Sequence, residues 1–536
     1  MNADRPQERR VTRERFRELI EERWPTVVHS IVDLANATIE LDCPRRLLRE
    51  LCQGLFHDFD LAFAGLTVEE DASEWKLRYV FYGDGEAGWV HVLARAPLDD
   101  TRFPSIVESV HAADWHERVA EDLYGLQFEG HPRLGDFVLH DDVWQEGVEP
   151  MRRGFDAEAA MHQRQPNTDW RPVRVVEESG AFVMPIGPKF SGVTESVHFL
   201  LETVGEDVIR TSTRRYYKWR AIEKLAEGKS AADALLLAER FAATTAFAHG
   251  FAYCRAAEAI AGTVVPPRAR LLRVLLAELE RLRHHAGAIQ EICESCAFAV
   301  ASSHAGIVEE DLLRASGQLT GHRYLFGVLA PGGLACDLTT PACRTTLAQA
   351  QEARIALGAL LRELSISSSF LDRLEEVGVI PLRTARAYSL VGPVARASSY
   401  LRDLRRARPY PGYEDLEFDV PSEEEGDGYA RLRLLFSEAE QSVRIIEQVV
   451  ARLPEGPVRA PFEPPGGGAL GWVEAPRGGT FAWLRLDASG VVVRYRPVTP
   501  SFINWHAFQL GAEKFAFQDF PIILSTFDLS VAENDL

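Results

Sequence analysis

The sequence predicts an α+β chain in two parts, a mixed α/β domain and then a larger, mainly helical domain with a small β-hairpin region. Three observations carry that expectation. Strand-like alternation appears in the first 150 residues beside helical spacing; periodicity fades over residues 145–177; and after Tyr216 helical spacing runs through most of the next two hundred residues.

At 536 residues the chain is too long for one hydrophobic core. Its net charge of −20 argues against nucleic acid or anionic lipid as a broad partner, because both demand a basic face. No apolar run reaches membrane-spanning length, and MNADRPQERRVTRERFREL lacks the apolar core of a signal peptide. A cytoplasmic protein is expected, one that meets a membrane complex peripherally. Cys43, Cys52, Cys254, Cys293, Cys296, Cys336 and Cys343 are odd in number and scattered, which argues against a disulfide framework. Cys293 and Cys296 form one CxxC without a second pair nearby, so helix packing is expected of them rather than zinc or cluster binding.

In chain order, residues 11–60 carry helical periodicity through Phe16, Leu19 and Ile20, then Leu47, Leu48, Leu51 and Leu55. Residues 75–81 and 89–94 read as strands joined by the turn-prone GDGEAG. Asp114 is placed to cap a helix with Trp115, Val119 and Leu123 on one face; Gly125 ends it, and Gly130-His131-Pro132 makes a rigid exit. The first domain is set at 1–148, a charged and proline-rich linker at 149–178, and the second domain at 179–536.

Alternation resumes over residues 181–186 and 197–201, with a turn at 204–207. ERFAATTAFAHGFAYC, residues 239–254, then opens a helical run in which Ala242, Ala243, Thr244, Thr245 and Ala246 lead to His249. Such small residues either pack backbones closely or leave room for something else. Residues 265–285 form a helix, with Glu278, Arg281 and His285 on one face, as a buried polar network or a solvated stripe. The basic run RDLRRAR, residues 402–408, is either a docking edge for acidic partners or a solvated face. No GxGxxG follows a strand, so direct nicotinamide binding is not expected.

HAADWHERVAEDLYGLQFEGHPRL, residues 111–134, resembles the signature of the C subunit of bacterial NADH:quinone oxidoreductase (complex I), matching at Glu117, Arg118, Asp122, Gly125, Phe128, Gly130, His131 and Pro132. In that family the domain holds no cofactor and braces neighbouring subunits. MPIGPKFSGVTESVHFLLETVGEDVI, YKWRAIEKLAE, the 239–254 and 265–285 stretches, TGHR, VGPVARASSYLRD, PYPGYEDLEFDVP, EAPRGG, SFINWHAF and DFPIILSTFDLSVAEND follow in order. Together they resemble the complex I D subunit and the large subunit of membrane-bound nickel–iron hydrogenases. The fused arrangement is similar to the hydrogenase-3-type large subunit of formate hydrogenlyase.

The resemblance implies two CxxC pairs of soft thiolates around nickel and iron. Their positions here are Ala242, Thr245, Ser530 and Glu533, so no nickel–iron centre and no cofactor is expected. Thr245, Ser530, Glu533 and His249 make a weak set for a harder ion. The family's quinone contacts fall at Ala243 and Thr194, with Phe190 nearby, so the proton-donor pair for quinone is missing.

Five residues remain as candidates for a proton path or cavity: Glu223, His249, His198, Asp403 and Arg477. Glu223 takes the place of a glutamate that shuttles protons from the hydrogenase metal; it suits a relay if burial raises its pKa, and a salt bridge to Arg220 or Lys224 is the other reading. His249 either bonds across the former site or is a satisfied core histidine. His198 is in register with a histidine of the hydrogenase branch. Arg477 lies where hydrogenases border their active centre, and Arg396, Arg402 and Asp403 lie in a motif that complex I places near its cavity and membrane junction.

The implied function is that of a non-metallated, peripheral subunit on the cytoplasmic side of the cell membrane. It would sit between an iron–sulfur small subunit and membrane-arm, antiporter-like subunits, coupling or bridging soluble partners to ion translocation, without hydrogenase activity of its own. Two alternatives stay open: an oxidoreductase subunit reducing quinone or another acceptor in a remodelled cavity, and a purely structural bridge.

Overall fold

A computed structural model describes residues 13–25, 30–83, 88–172, 176–177, 179–189 and 195–536. The chain divides into two compact units: Met1–Gly135 with Gly147–Asp156, and Asp136–Glu146 with Ala157–Leu536. The chain mixes helix and strand in an α+β fold, helices dominating the second unit.

In the first unit a five-stranded sheet runs in the order β1 (Ser30–Leu34), β2 (Thr38–Cys43), β5 (Trp89–Pro97), β4 (Glu74–Tyr82), β3 (Ala62–Glu70). Only β2 and β5 pair in parallel. Strands β3, β4 and β5 are buried along nearly their whole length, so both faces of the sheet's centre are covered. The helical periodicity expected across residues 11–60 is therefore only partly right. It holds for α1 (Arg13–Arg23) and α2 (Leu48–Gln53), while β1 and β2 intervene as a short hairpin. Between β4 and β5, residues 84–87 of the expected turn lie outside the described residues.

Helix α3 (Asp114–Tyr124) buries Trp115, Val119 and Leu123 and ends at Gly125, whose φ of 72° is the left-handed conformation glycine adopts freely. Asp114 does not cap it. A short 3-10 turn at His111–Ala113 leads directly into the helix, and Asp114 instead pairs with His131 at 3.2 Å. Two three-residue strands, β6 (Arg102–Pro104) and β7 (Gln127–Glu129), pair in parallel nearby.

The second unit begins with α4 (Ala157–His162) and the antiparallel strands β8 (Ala181–Ile186), β9 (His198–Val204) and β10 (Asp207–Arg214). Thr194, where the resemblance places one quinone contact, and nearby Phe190 lie outside the described residues. Helices α5 (Ile222–Ala226), α6 (Ala231–Arg240), α7 (Ala246–Ala261), α8 (Pro267–Ser295), α9 (Ala299–Thr320) and α10 (Thr340–Leu364) follow, with the two-residue strands β11 (Leu329–Ala330) and β12 (Gly333–Leu334) between the last two. Short α11 (Ser368–Leu371), α12 (Leu382–Ala387), α13 (Gly392–Arg396) and α14 (Leu404–Ala407) lead to the long α15 (Gly428–Arg452). The sheet β13 (Gly467–Ala475), β14 (Gly478–Leu486), β15 (Val492–Val498) precedes α16 (Pro500–Gly511), β16 (Phe515–Ala516), α17 (Phe520–Phe527) and α18 (Val531–Asp535).

Helix α8 is the centre of this unit, packed against α9 and α15 and buried along most of its 29 residues. Proline at its first turn forgoes an amide that has no helical partner there. Of the small residues leading to His249, Ala242, Thr245 and Ala246 are buried while Ala243 is exposed, and the closest packing comes further along α7. A Cβ on Gly471 of β13 would meet the Ala252 carbonyl of α7 at 2.0 Å, so strand and helix approach backbone to backbone. The helix expected from residue 239 onward is interrupted: α6 stops at Arg240, Ala242 is extended, and α7 starts at Ala246. Glu280 of α8 holds the new helix end, accepting bonds from the amides of Phe247 (2.8 Å) and Ala248 (3.0 Å). Among the described residues no helix is long and apolar enough to cross a membrane.

Candidate functional site

Positions 245 and 533 are brought together across the whole unit. Thr245, at the start of α7, donates to Glu533 Oε1 at 2.6 Å, and His249 one turn later sets Nε2 3.2 Å from Thr245 Oγ1 and 3.3 Å from Glu533 Oε1. The other ring nitrogen, Nδ1, lies 3.1 Å from Thr480 Oγ1 on β14. The second carboxylate oxygen of Glu533 accepts from the Ser501 hydroxyl at 2.5 Å, and Arg477 reaches Oε1 at 3.3 Å. Helix α18 supplies Glu533 because Ser530 caps it, accepting from the Glu533 amide at 3.2 Å.

Burial opposes a charge here, yet Arg477, with hydrogen bonds from His249 and Ser501, holds the Glu533 carboxyl well below the usual carboxylate range. Arg477 continues the network to Asp528 through its Nε to the backbone carbonyl (2.5 Å) and its Nη2 to the carboxylate (3.1 Å), and Asp528 pairs with His284 at 2.6 Å.

These residues do not suit a nickel–iron centre. Ala242 has no ligating atom, the hydroxyls of Thr245 and Ser530 are hard donors already engaged, and Glu533 is neutralised by a guanidinium. Among the described residues no three of His, Cys, Asp or Glu gather as a metal-holding group.

A second buried cluster centres on α8. Glu278 accepts from Arg405 (3.0 Å), Tyr413 (2.7 Å), Ser442 (2.7 Å) and Arg281 (3.2 Å). Arg396 bonds Glu438 (2.7 Å) and Glu474 (2.9 Å) and lies 3.6 Å from Asp403, which pairs with Arg405 at 2.7 Å. His285 donates from Nε2 to Glu438 Oε2 at 3.0 Å. All of these side chains are essentially inaccessible. Burial and the Asp403 charge push the Glu474 carboxyl up to about 7, while Arg396 holds Glu438 far down against its burial.

Of the five candidates, His249 and Arg477 meet in the first cluster and Asp403 belongs to the second. Glu223 departs from its expectation. It is buried, but Arg494 (2.5 Å) and Arg496 are its partners, whereas Arg220 bonds backbone carbonyls and Lys224 pairs with Glu227. Against burial, Arg496 and Arg494 lower its pKa, the opposite of what a relay asks. His198 opens β9 and lies 3.5 Å from the Tyr217 hydroxyl, with burial and Arg214 lowering its pKa; it takes no part in either cluster.

Glu278, Arg281 and His285 form a buried network, not a solvated stripe. Of the basic run, Arg402 and Arg405 point inward rather than to a docking edge or solvent. Sequence reasoning misses Ser501, Asp528, Glu438 and Glu474. Ser501 and Asp528 lie in matched motifs, while Glu438 carries no signal beyond its place in a helix.

Residues 41–161 match the family model for the respiratory-chain NADH dehydrogenase 30 Kd subunit, and residues 305–463 and 458–536 match that for the 49 Kd subunit. Formate hydrogenlyase subunit 5 of Escherichia coli (strain K12) is 31% identical over 450 residues, covering 83% of this chain and 79% of that protein. This chain belongs to the family of fused C/D-type subunits of complex I-like and hydrogenase-related complexes. Another fused relative, the C/D-type NADH-quinone oxidoreductase polypeptide of Bdellovibrio bacteriovorus, is 28% identical over 437 residues, 80% of this chain and 76% of that one. A solved chain of the membrane-bound sulfane sulfur reductase, an archaeal respiratory membrane complex, matches with a TM-score of 0.63 and 25% identity, over 68% of this chain and all of that chain. As a member of the C/D-type family, the protein has its first family match largely within the first unit and its second within the second unit.

Proposed function

We propose that this C/D-type protein is a peripheral, non-metallated member of a complex I-like, hydrogenase-related membrane complex. In this reading it couples or bridges an iron–sulfur small subunit to ion-translocating membrane-arm subunits, on the cytoplasmic side of the membrane. The observation that carries the reading is the replacement of the metal ligands by a closed protein network. Glu533, at a position where the resemblance expects a ligand, has Arg477, Thr245, Ser501 and His249 bonded to it, so both of its oxygens are hydrogen-bonded by the protein and a guanidinium faces its charge. The domain division at 1–148, 149–178 and 179–536 is part of this proposal, as a brace followed by a coupling body.

The test is purification of the intact complex through this chain, with elemental analysis and identification of the co-purifying subunits. Antiporter-like membrane subunits and an iron–sulfur small subunit are expected, with no nickel above trace. One nickel per chain, or recovery of soluble partners alone, would overturn the reading.

A further inference from the structure

Two buried ion clusters lie on either side of a pair of adjacent histidines. His284 belongs to the first through Asp528, which Arg477 ties to Glu533. His285 belongs to the second through Glu438, which Arg396 ties to Glu474 and Asp403. The two rings are 6.1 Å apart, centre to centre, in an edge-on arrangement. Both side chains are buried, His285 completely.

One nitrogen stands out. With Nε2 donating to Glu438, the His285 Nδ1 carries a bare lone pair, and among the described residues nothing bonds to it. A buried polar atom left unsatisfied costs on the order of 1–3 kcal/mol, so such a position asks for a reason.

We propose that His284 and His285 join the two clusters into one electrostatic unit, in which His285 is the group whose charge the first cluster sets and the second reads. This deepens the coupling role proposed above and draws its purpose from it. The groups facing His285 are Arg281 and His284 from its own helix, Glu438 from α15 and Asp528 from the segment after α17, with Arg396 of α13 beyond Glu438.

A proton at Nδ1 makes an imidazolium that strengthens the bond to Glu438 and weakens the hold of Arg396 on it. Arg396 already touches Glu474 and Asp403, so its charge shifts among carboxylates without a backbone movement. Glu474, pushed up to about 7 by burial and Asp403, is the carboxyl in this cluster nearest to changing its own proton occupancy. Burial keeps His285 neutral at rest, with Glu438 and Asp528 favouring the charged form and Arg281 opposing it. A change at Glu533, Arg477 or Asp528 therefore reaches α15 through the two adjacent rings of His284 and His285.

The test uses the full-length chain carrying 15N-labelled histidine side chains, with the His285 signal identified by its loss in His285→Gln. Asp528→Asn removes a negative charge from the first cluster, and His285 should then titrate at lower pH. Arg477→Gln leaves Asp528 uncompensated, and the His285 titration should move the opposite way. Glu438→Gln, a direct partner, provides the reference for a local effect. Opposed shifts from the two first-cluster variants support the junction; where one variant does not fold, the sign of the other decides. A His285 titration that responds to Glu438→Gln and to neither first-cluster variant overturns it. The measurement needs no partner subunit and no metal, so its failure leaves the proposed place in a membrane complex standing, and the reverse holds as well.

Discussion

Two fully buried carboxyls, one in each unit, are handled in opposite ways. Glu117 of the first unit accepts from the Ser105 hydroxyl (2.6 Å), the Ile106 amide (3.0 Å) and the Tyr79 hydroxyl (3.4 Å), all neutral donors. Burial wins, and its pKa is pushed up to about 7. Glu533 of the second unit has a similar set of hydroxyl donors, Thr245 and Ser501, but also Arg477 and His249. There the charge is held, and the pKa is driven far down. Neutral hydrogen bonds satisfy a buried carboxyl; a guanidinium is what keeps it ionised. The difference assigns each its work. Glu117 is a buried carboxyl held by neutral donors, and Glu533 is a fixed negative charge facing Arg477 and His249.

The largest expected effect comes from making Glu533 resemble Glu117. Arg477→Met leaves both Glu533 and Asp528 without their cation in a buried setting, at a cost of about 3–5 kcal/mol in unfolding free energy. The sign of the pH dependence should also invert. In the unaltered chain Glu533 is depressed, so its contribution is present above the unfolded carboxyl value and is lost as pH falls. Without Arg477 its pKa rises, and the deficit grows as pH climbs from about 5 to 8. Urea midpoints at both ends of that range check this; an equal deficit at each end would break the comparison.

Glu533→Gln is milder. The amide keeps the shape and one acceptor, and Arg477 keeps Asp528, so a loss of about 1–3 kcal/mol near neutral pH is expected. The variant should also lose less of its remaining stability on acidification, since the depressed carboxyl has gone. Acid-unfolding midpoints followed by circular dichroism measure both. An unchanged acid limb would mean that Glu533 is not the charged group described.

How much of this could be read in the sequence follows from how local each signal is. Strands β4 and β5, helices α3 and α8, and the helix end at Gly125 announce themselves within a dozen residues, through periodicity and a glycine in the left-handed region. Counting from His249 and Ser525 also points to Thr245 and Glu533, which lie 2.6 Å apart although 288 residues separate them. Partners chosen at long range were not legible. Nothing near Glu223 announces Arg494 and Arg496, whereas Arg220 and Lys224 stand beside it and bond elsewhere. Arg405 reads as part of a charged run, yet it is buried against Glu278 and Asp403, since α14 packs on β13 and the Arg405 side chain reaches Glu278 of α8. The hairpin β1–β2 was hidden by its brevity between two genuinely helical stretches. Periodicity reports which way a residue faces in its own element; it does not report what another element brings to meet it.

The smallest effect is expected at Glu117, and its direction is the informative part. Because the folded value is raised to about 7 from about 4.5, the folded state binds the proton more tightly, so stability is full at low pH and falls as pH rises through that window. Glu117→Gln replaces a carboxyl that is protonated at pH 5.5 by a neutral group of the same shape, with little change there. By pH 8 the unaltered chain has met the cost of ionising a buried carboxyl and the variant has not, so the variant should gain about 1–2 kcal/mol relative to it. Unfolding of the first unit at the two pH values, followed by the fluorescence of buried Trp75 and Trp89, provides the measurement. A variant that instead loses ground toward pH 8 would show that Glu117 is ionised and held by charge, and the contrast with Glu533 would then lie in degree, not in kind.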